Sequence, residues 1–161
     1  KEIHLLANSG CLYHCPWQPD HATRVAHESE RAEKDPAARK YPSPCWAYIE
    51  NPENQARLLQ NTWIRPEDVD FYKGGTGVMK LATRMHDDPR RVVEAYVRRS
   101  FDGNLLTLCE PSYVPVMGGR GIENAKFPNG WIERVTGCGH ACETCGYCED
   151  VWSRVAKGKT T

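Results

Sequence analysis

The sequence predicts an α/β fold, in which parallel strand–helix units form the last part of a larger barrel and an irregular cysteine-rich extension follows. Three observations carry that prediction. Short apolar runs alternate with stretches opened by Pro, Asp or Asn, in the order strand, helix, helix, strand, helix, strand, helix, an alternation that belongs to parallel strands joined by crossover helices. Three strands do not close a barrel, and an open three-stranded parallel sheet leaves its edges bare. The chain starts at Lys1 rather than Met, so the front of the barrel is expected from upstream sequence or from a second chain. The barrel units are assigned to residues 1–109 and the extension to residues 110–161.

Taken in order, "IHLLAN" is a short apolar run closed by Asn8, Ser9 and Gly10, and reads as a buried strand. Pro19 and Asp20 then open a helix of about four turns. Residues 35–45 hold three prolines and read as a loop. A second helix is expected over residues 51–61, with Asn51 as N-cap and Pro52 at the first helical position. Residues 62–64 read as a strand, since Arg65 precedes a proline and leans extended. A short helix follows, stopped by Gly74 and Gly75, and residues 77–84 return to strand. Asp88 and Pro89 open the last helix, with Val92, Val93, Tyr96 and Val97 on one stripe. Residues 110–137, rich in Gly, Pro and Asn, read as irregular chain.

Composition narrows the function classes. With 21 basic and 21 acidic side chains, no global charge advertises a polyanion, and no DNA partner is expected. No apolar run approaches the ~20 residues of a membrane span, and no secretory signal is visible; a cytoplasmic, membrane-free protein is the expectation. Eight cysteines in 161 residues are the outstanding feature. An even count fits four disulfides in a secreted protein. The spacing favours metal: Cys11 and Cys15, then Cys45, then Cys138, Cys142, Cys145 and Cys148 place several sulfurs on single short loops. Cys109 ends an apolar run and reads as a buried thiol.

Four thiolates in "CGHACETCGYC" suit one four-iron cluster or a zinc knuckle. Cys11, Cys15 and Cys45 supply three ligands, and the fourth is open among a nearby thiol, His14, His21, a substrate atom and water; an open position is what a catalytic metal needs. Strand ends are where barrels gather function. Arg65, Lys80 and Arg84 fall at such ends, and together they suit an anion such as a carboxylate or phosphate, whereas each alone reads as a strand residue in a salt bridge. The five tryptophans sit mostly beside apolar neighbours and read as core and shielding residues rather than base-stacking platforms.

"LLANSGCLYHCPWQPDH", then "IRPEDVDFY", then "GVMKLATR" resembles the end of the barrel in the collagenase-like peptidase (U-32) family, with its N-x-x-C-x-x-x-C-P loop, following His, RPED-like segment and K-[IL]-x-x-R strand. The resemblance covers roughly residues 1–100. It implies a TIM-like barrel binding a 4Fe-4S cluster, with Cys11, Cys15 and Cys45 as ligands and Arg65, Lys80 and Arg84 lining the site of an anionic substrate. Members of that family hydroxylate RNA bases or quinone precursors without molecular oxygen, so the expected function is an iron–sulfur redox or hydroxylating enzyme, or the cluster-bearing part of one, with an anionic small molecule, peptide or RNA base as substrate. The cysteine tail lies outside the family pattern and implies a second cluster or an electron relay. Two alternatives stand beside this: a zinc-stapled binding module, and a peptidase as the family name says. The chain carries neither an H-E-x-x-H helix nor a G-x-S-x-G elbow.

Overall fold

The computed structural model describes residues 2–34 and 43–158. Helices and short strands alternate through it, and the parallel sheet is small. Strand β1 (His4–Leu6) pairs in parallel with β2 (Val78–Lys80), placing His4 opposite Val78 and Leu6 opposite Lys80. The third expected strand is not one: residues 62–64 run extended beside β1, tied by the Ile64 amide donating to the Ala7 carbonyl at 2.7 Å. The Ile64 carbonyl accepts from the Tyr96 hydroxyl at 2.8 Å, and the Trp63 indole N–H donates to the Leu58 carbonyl at 2.9 Å. The strand read over residues 77–84 stops at Lys80, and Thr83 and Arg84 lie beyond it.

Asn8 ties the end of β1 to two distant segments. Its side chain donates to the Ala82 carbonyl at 2.6 Å and the Leu108 carbonyl at 2.9 Å, and accepts from the Ala82 amide at 2.7 Å. Its own carbonyl accepts from the Glu110 amide at 2.9 Å. Fully buried, Asn8 thus satisfies backbone groups that a longer sheet would otherwise have paired.

Helix α1 (Gln18–Lys34) lies where Pro19 and Asp20 predicted it. The proline-rich stretch read as loop yields helix α2 (Pro44–Glu50), because Pro44 sits in the first turn, where its missing N–H costs nothing. Residues 35–42 of that stretch lie outside the described residues. Pro52–Gln60 and Pro66–Tyr72 are 3-10 helices, the first capped by Asn51, whose Oδ1 accepts from the Glu53 amide at 3.1 Å. Helix α3 (Pro89–Arg98) is capped by Asp88 and buries Val92, Ala95 and Tyr96; Val93 and Val97 face outward, at 43% and 70% exposure. The stripe is therefore narrower than the sequence reading, because i, i+3 and i+4 already fill the face turned to the core.

Residues 110–158 carry more structure than an irregular tail. Strand β3 (Gly121–Ile122) pairs antiparallel with β4 (Ala156–Lys157), and α4 (Trp131–Thr136), α5 (Cys142–Cys145) and α6 (Tyr147–Val155) lie between them. Helix α6 packs on the Pro52–Gln60 helix. The hydrophobic core runs from Ala7 and Ile49 through Leu105 and Tyr113 to Trp131 and Val155, so the cysteine tail is anchored in the same core as β1. Among the described residues, no helix is long and apolar enough to cross a membrane.

Candidate metal centres and an adjoining cleft

The first thiol loop is shaped by three residues around it. A side chain at Gly10 would meet the Pro111 carbonyl oxygen at 2.0 Å, so only glycine lets the chain leave β1 there. Asn61 holds the loop from outside, donating to the Gly10 carbonyl at 3.0 Å and accepting from the Tyr13 amide at 3.2 Å. Cys11 and Cys15 come from this loop, and Cys45 from the first turn of α2. Cys15 and Cys45 both lie within electrostatic range of Cys11. Burial pushes the Cys11 thiol up, the neighbouring Cys15 and Cys45 push it further, and a hydrogen bond with Ser9 pulls the other way. Cys15, Cys45 and His21 line one small cavity, while His14 packs edge-on against Tyr13 with ring centres 4.0 Å apart. Of the two candidate histidines, His21 is the one that lines this cavity.

The sequence reading missed Tyr113. It is buried and lies within electrostatic range of Cys45, Cys11 and Cys15. Burial, then Cys45, raises its phenol pKa, so it meets the thiols as a neutral hydroxyl. Nothing in the surrounding "PSYVPV" marks it.

The second group holds Cys138, Cys142, Cys145 and Cys148. Burial pushes the Cys148 thiol up to about 11, with smaller contributions from Glu149 and from Cys142, Cys138 and Cys145. The His140 amide donates to Cys138 Sγ at 3.3 Å and the Arg134 guanidinium to Cys145 Sγ at 3.3 Å. Left-handed backbone at His140 and Gly146 turns the chain within this group. Cys109 stands apart: buried, with its thiol pushed up to about 12, it packs as the sequence indicated.

Between β1 and the tail lies an open-sided cleft of about 660 Å³. Leu5, Trp63 and Ile132 are among its walls, and Cys138, Cys142 and Cys148 open onto it. Cys11, Cys15 and Cys45 do not line it. At its rim Tyr13 of the first thiol loop stacks on His140 of the second, with ring centres 4.8 Å apart and planes at 14°.

The three predicted cations differ in their settings. Arg65 is largely buried in a forked pair with Asp68 at 2.7 and 3.0 Å, and lies 4.7 Å from the Phe127 ring centre. Lys80 and Arg84 are exposed. None of the three lines the large cleft.

Soft thiols in sets of three and four are the donor chemistry for iron–sulfur or zinc binding. Among the described residues, no three His, Cys, Asp or Glu side chains converge closely enough to hold a metal ion as placed. The residue types fit the group, and side-chain rotation is needed to close either set on a metal.

The chain is 27% identical over 164 aligned positions to a protein of Methanocaldococcus jannaschii described as an uncharacterized protease. That alignment covers 98% of this chain and 47% of the relative, so the chain spans about half the length of the curated relative it matches. No protein-family model matches the chain, and no solved structure matches it.

Proposed function

We propose that this chain is the thiolate-bearing part of an iron–sulfur protein related to the collagenase-like peptidase family, acting in redox or oxygen-independent hydroxylating chemistry. What carries the reading is the placement of the cysteines: Cys11 and Cys15 share one loop, Cys15 lines a cavity with Cys45, and Cys138, Cys142, Cys145 and Cys148 line another, with Cys109 buried elsewhere. The relative's description as a protease is consistent with that family and says nothing of iron.

In this reading Cys11, Cys15 and Cys45 hold one 4Fe-4S cluster, with His21 or an outside atom beside them, and the tail quartet holds a second. A bound cluster supplies one-electron exchange. The chain's own residues position it: Asn8 fixes the strand end, Gly10 and Asn61 shape the loop, and Tyr113 sets a neutral hydroxyl within electrostatic range of Cys45. Lys80 and Arg84 are the cations available for an anionic small molecule, peptide or RNA substrate, while Arg65 acts through its pair with Asp68. The outward apolar residues Ile3 and Val78 are where the rest of a barrel, from the same or another chain, would join. Residues 1–109 then form the barrel part and residues 110–161 the cluster-bearing extension.

A zinc-stapled tail is the second reading. The backbone donor to Cys138 Sγ and the left-handed Gly146 directly after Cys145 favour it. Anaerobic purification followed by iron, acid-labile sulfide and zinc analysis separates the two. Iron and sulfide with broad absorbance near ~400 nm support the clusters. A colourless protein with stoichiometric zinc removes the redox role. Replacing Cys11 with Ala should remove one cluster's iron and leave the tail's.

A further inference from the structure

We infer that the cleft beside the cysteine tail is a binding site for an uncharged, ring-bearing small molecule, and that the tail quartet, not Cys11, Cys15 and Cys45, is the thiol group facing that ligand. The inference goes beyond the proposed function: it adds an uncharged ligand at a cleft that Lys80 and Arg84 do not line.

Size is the first observation. At about 660 Å³ the cleft falls inside the ~300–1,000 Å³ range of small-molecule sites. Its lining is the second. Leu5, Trp63, Tyr72 and Ile132 give broad apolar and aromatic walls, and the polar lining comes from hydroxyl, amide, thiol and imidazole groups. No Asp, Glu, Lys or Arg lines it among the described residues. An ion placed there would lose water without gaining a counter-charge, which selects against charged ligands. Gln60 is the third: its Oε1 accepts from Arg57 at 3.2 Å, and it adds an uncharged amide residue to the lining. The last observation is which thiols are present. Three of the tail's four line the cleft, and none of the front three does, although Tyr13 from their loop reaches the rim and stacks on His140.

The test uses the full, metal-free chain, so that its result does not depend on iron. The probe is N-phenyl-1-naphthylamine, an uncharged three-ring dye that fluoresces in apolar sites. Saturable binding of one dye per chain is expected. The dye is then held at about ten times its Kd while the uncharged reagent N-ethylmaleimide labels the thiols, with each site followed by mass spectrometry. Since only the empty fraction reacts, labelling of Cys138, Cys142 and Cys148 should slow about tenfold, while Cys11 and Cys15 label at their dye-free rate. Thr62→Trp, which adds bulk at the cleft wall, should abolish both dye binding and protection, with its fold checked by circular dichroism. The wild-type protection experiment stands whether or not that variant folds. Absence of dye binding, equal protection of the two thiol groups, or protection of neither overturns the inference. Iron and sulfide analysis of the anaerobic protein tests the cluster reading separately.

Discussion

Replacing Asn8 with Ala tests the residue on which the first thiol loop depends. The substitution removes three side-chain hydrogen bonds, two donated to the carbonyls of Ala82 and Leu108 and one accepted from the Ala82 amide. At about 1 kcal/mol net for each, the loss is about 3 kcal/mol. Part of that is the cost of leaving the Leu108 carbonyl buried without a partner. For a chain of this size, about 2–4 °C in Tm per kcal/mol converts the loss into a fall of about 6–12 °C. Urea titration followed by tryptophan fluorescence gives the free energy, and a thermal melt gives the Tm. Asn61→Ala is the comparison: it holds the same loop through one donated and one accepted bond at a more exposed position, so it should cost less. The reasoning fails if Asn8→Ala costs under about 1 kcal/mol, or less than Asn61→Ala, because the three bonds would then have no net worth.

Other outcomes follow from the same geometry. Arg65→Met should destabilise by about 3 kcal/mol in denaturant titration, because it strands the buried Asp68 carboxylate, whereas Arg84→Ala at an exposed site should fall within about 0.5 kcal/mol of the parent. The Cys109 thiol is held protonated to about pH 12 in the folded chain but ionises near ~8.5 when unfolded. The folded state therefore binds the extra proton, and its stability is full below ~8.5 and falls as pH rises toward that folded value. Cys109→Val should flatten the alkaline limb of a stability-versus-pH curve. Cys11 should alkylate with a midpoint above that of a free cysteine, and Cys15→Ser should lower that midpoint by removing a neighbouring negative charge, as read by iodoacetamide labelling and mass spectrometry across pH.

Local chemistry was the part of the fold readable in the sequence. Pro52, Asp88 and Pro89 mark helix starts because caps and proline act within one turn. Short spacing also put Cys138, Cys142, Cys145 and Cys148 on one stretch, whereas Cys45 comes beside Cys15 only through the folded chain. What required the three-dimensional chain was long-range. Residues 62–64 look like a strand by composition, but their hydrogen bonds go to Ala7 and Leu58, choices set by partners rather than propensity. Arg65, read as an anion ligand, is claimed by Asp68 three residues on, a pairing that "RPED" offered in plain view. Val97 completes an apolar stripe on paper, but the core stops at Tyr96. Tyr113 and the cleft had no local signature, because both arise where distant segments meet.

The stitching of β1 by a single asparagine also bears on how the protein is made. Two of the segments it joins follow Asn8 by 74 and 100 residues. At ~5–20 residues per second, a ribosome needs about 5 to 20 s to deliver the farther one. Throughout that interval the nascent segment around β1 carries unpaired amides and carbonyls beside apolar side chains, open to a wrong neighbour. Synthesis of such a chain puts a premium on chaperone cover over that segment until Leu108 emerges.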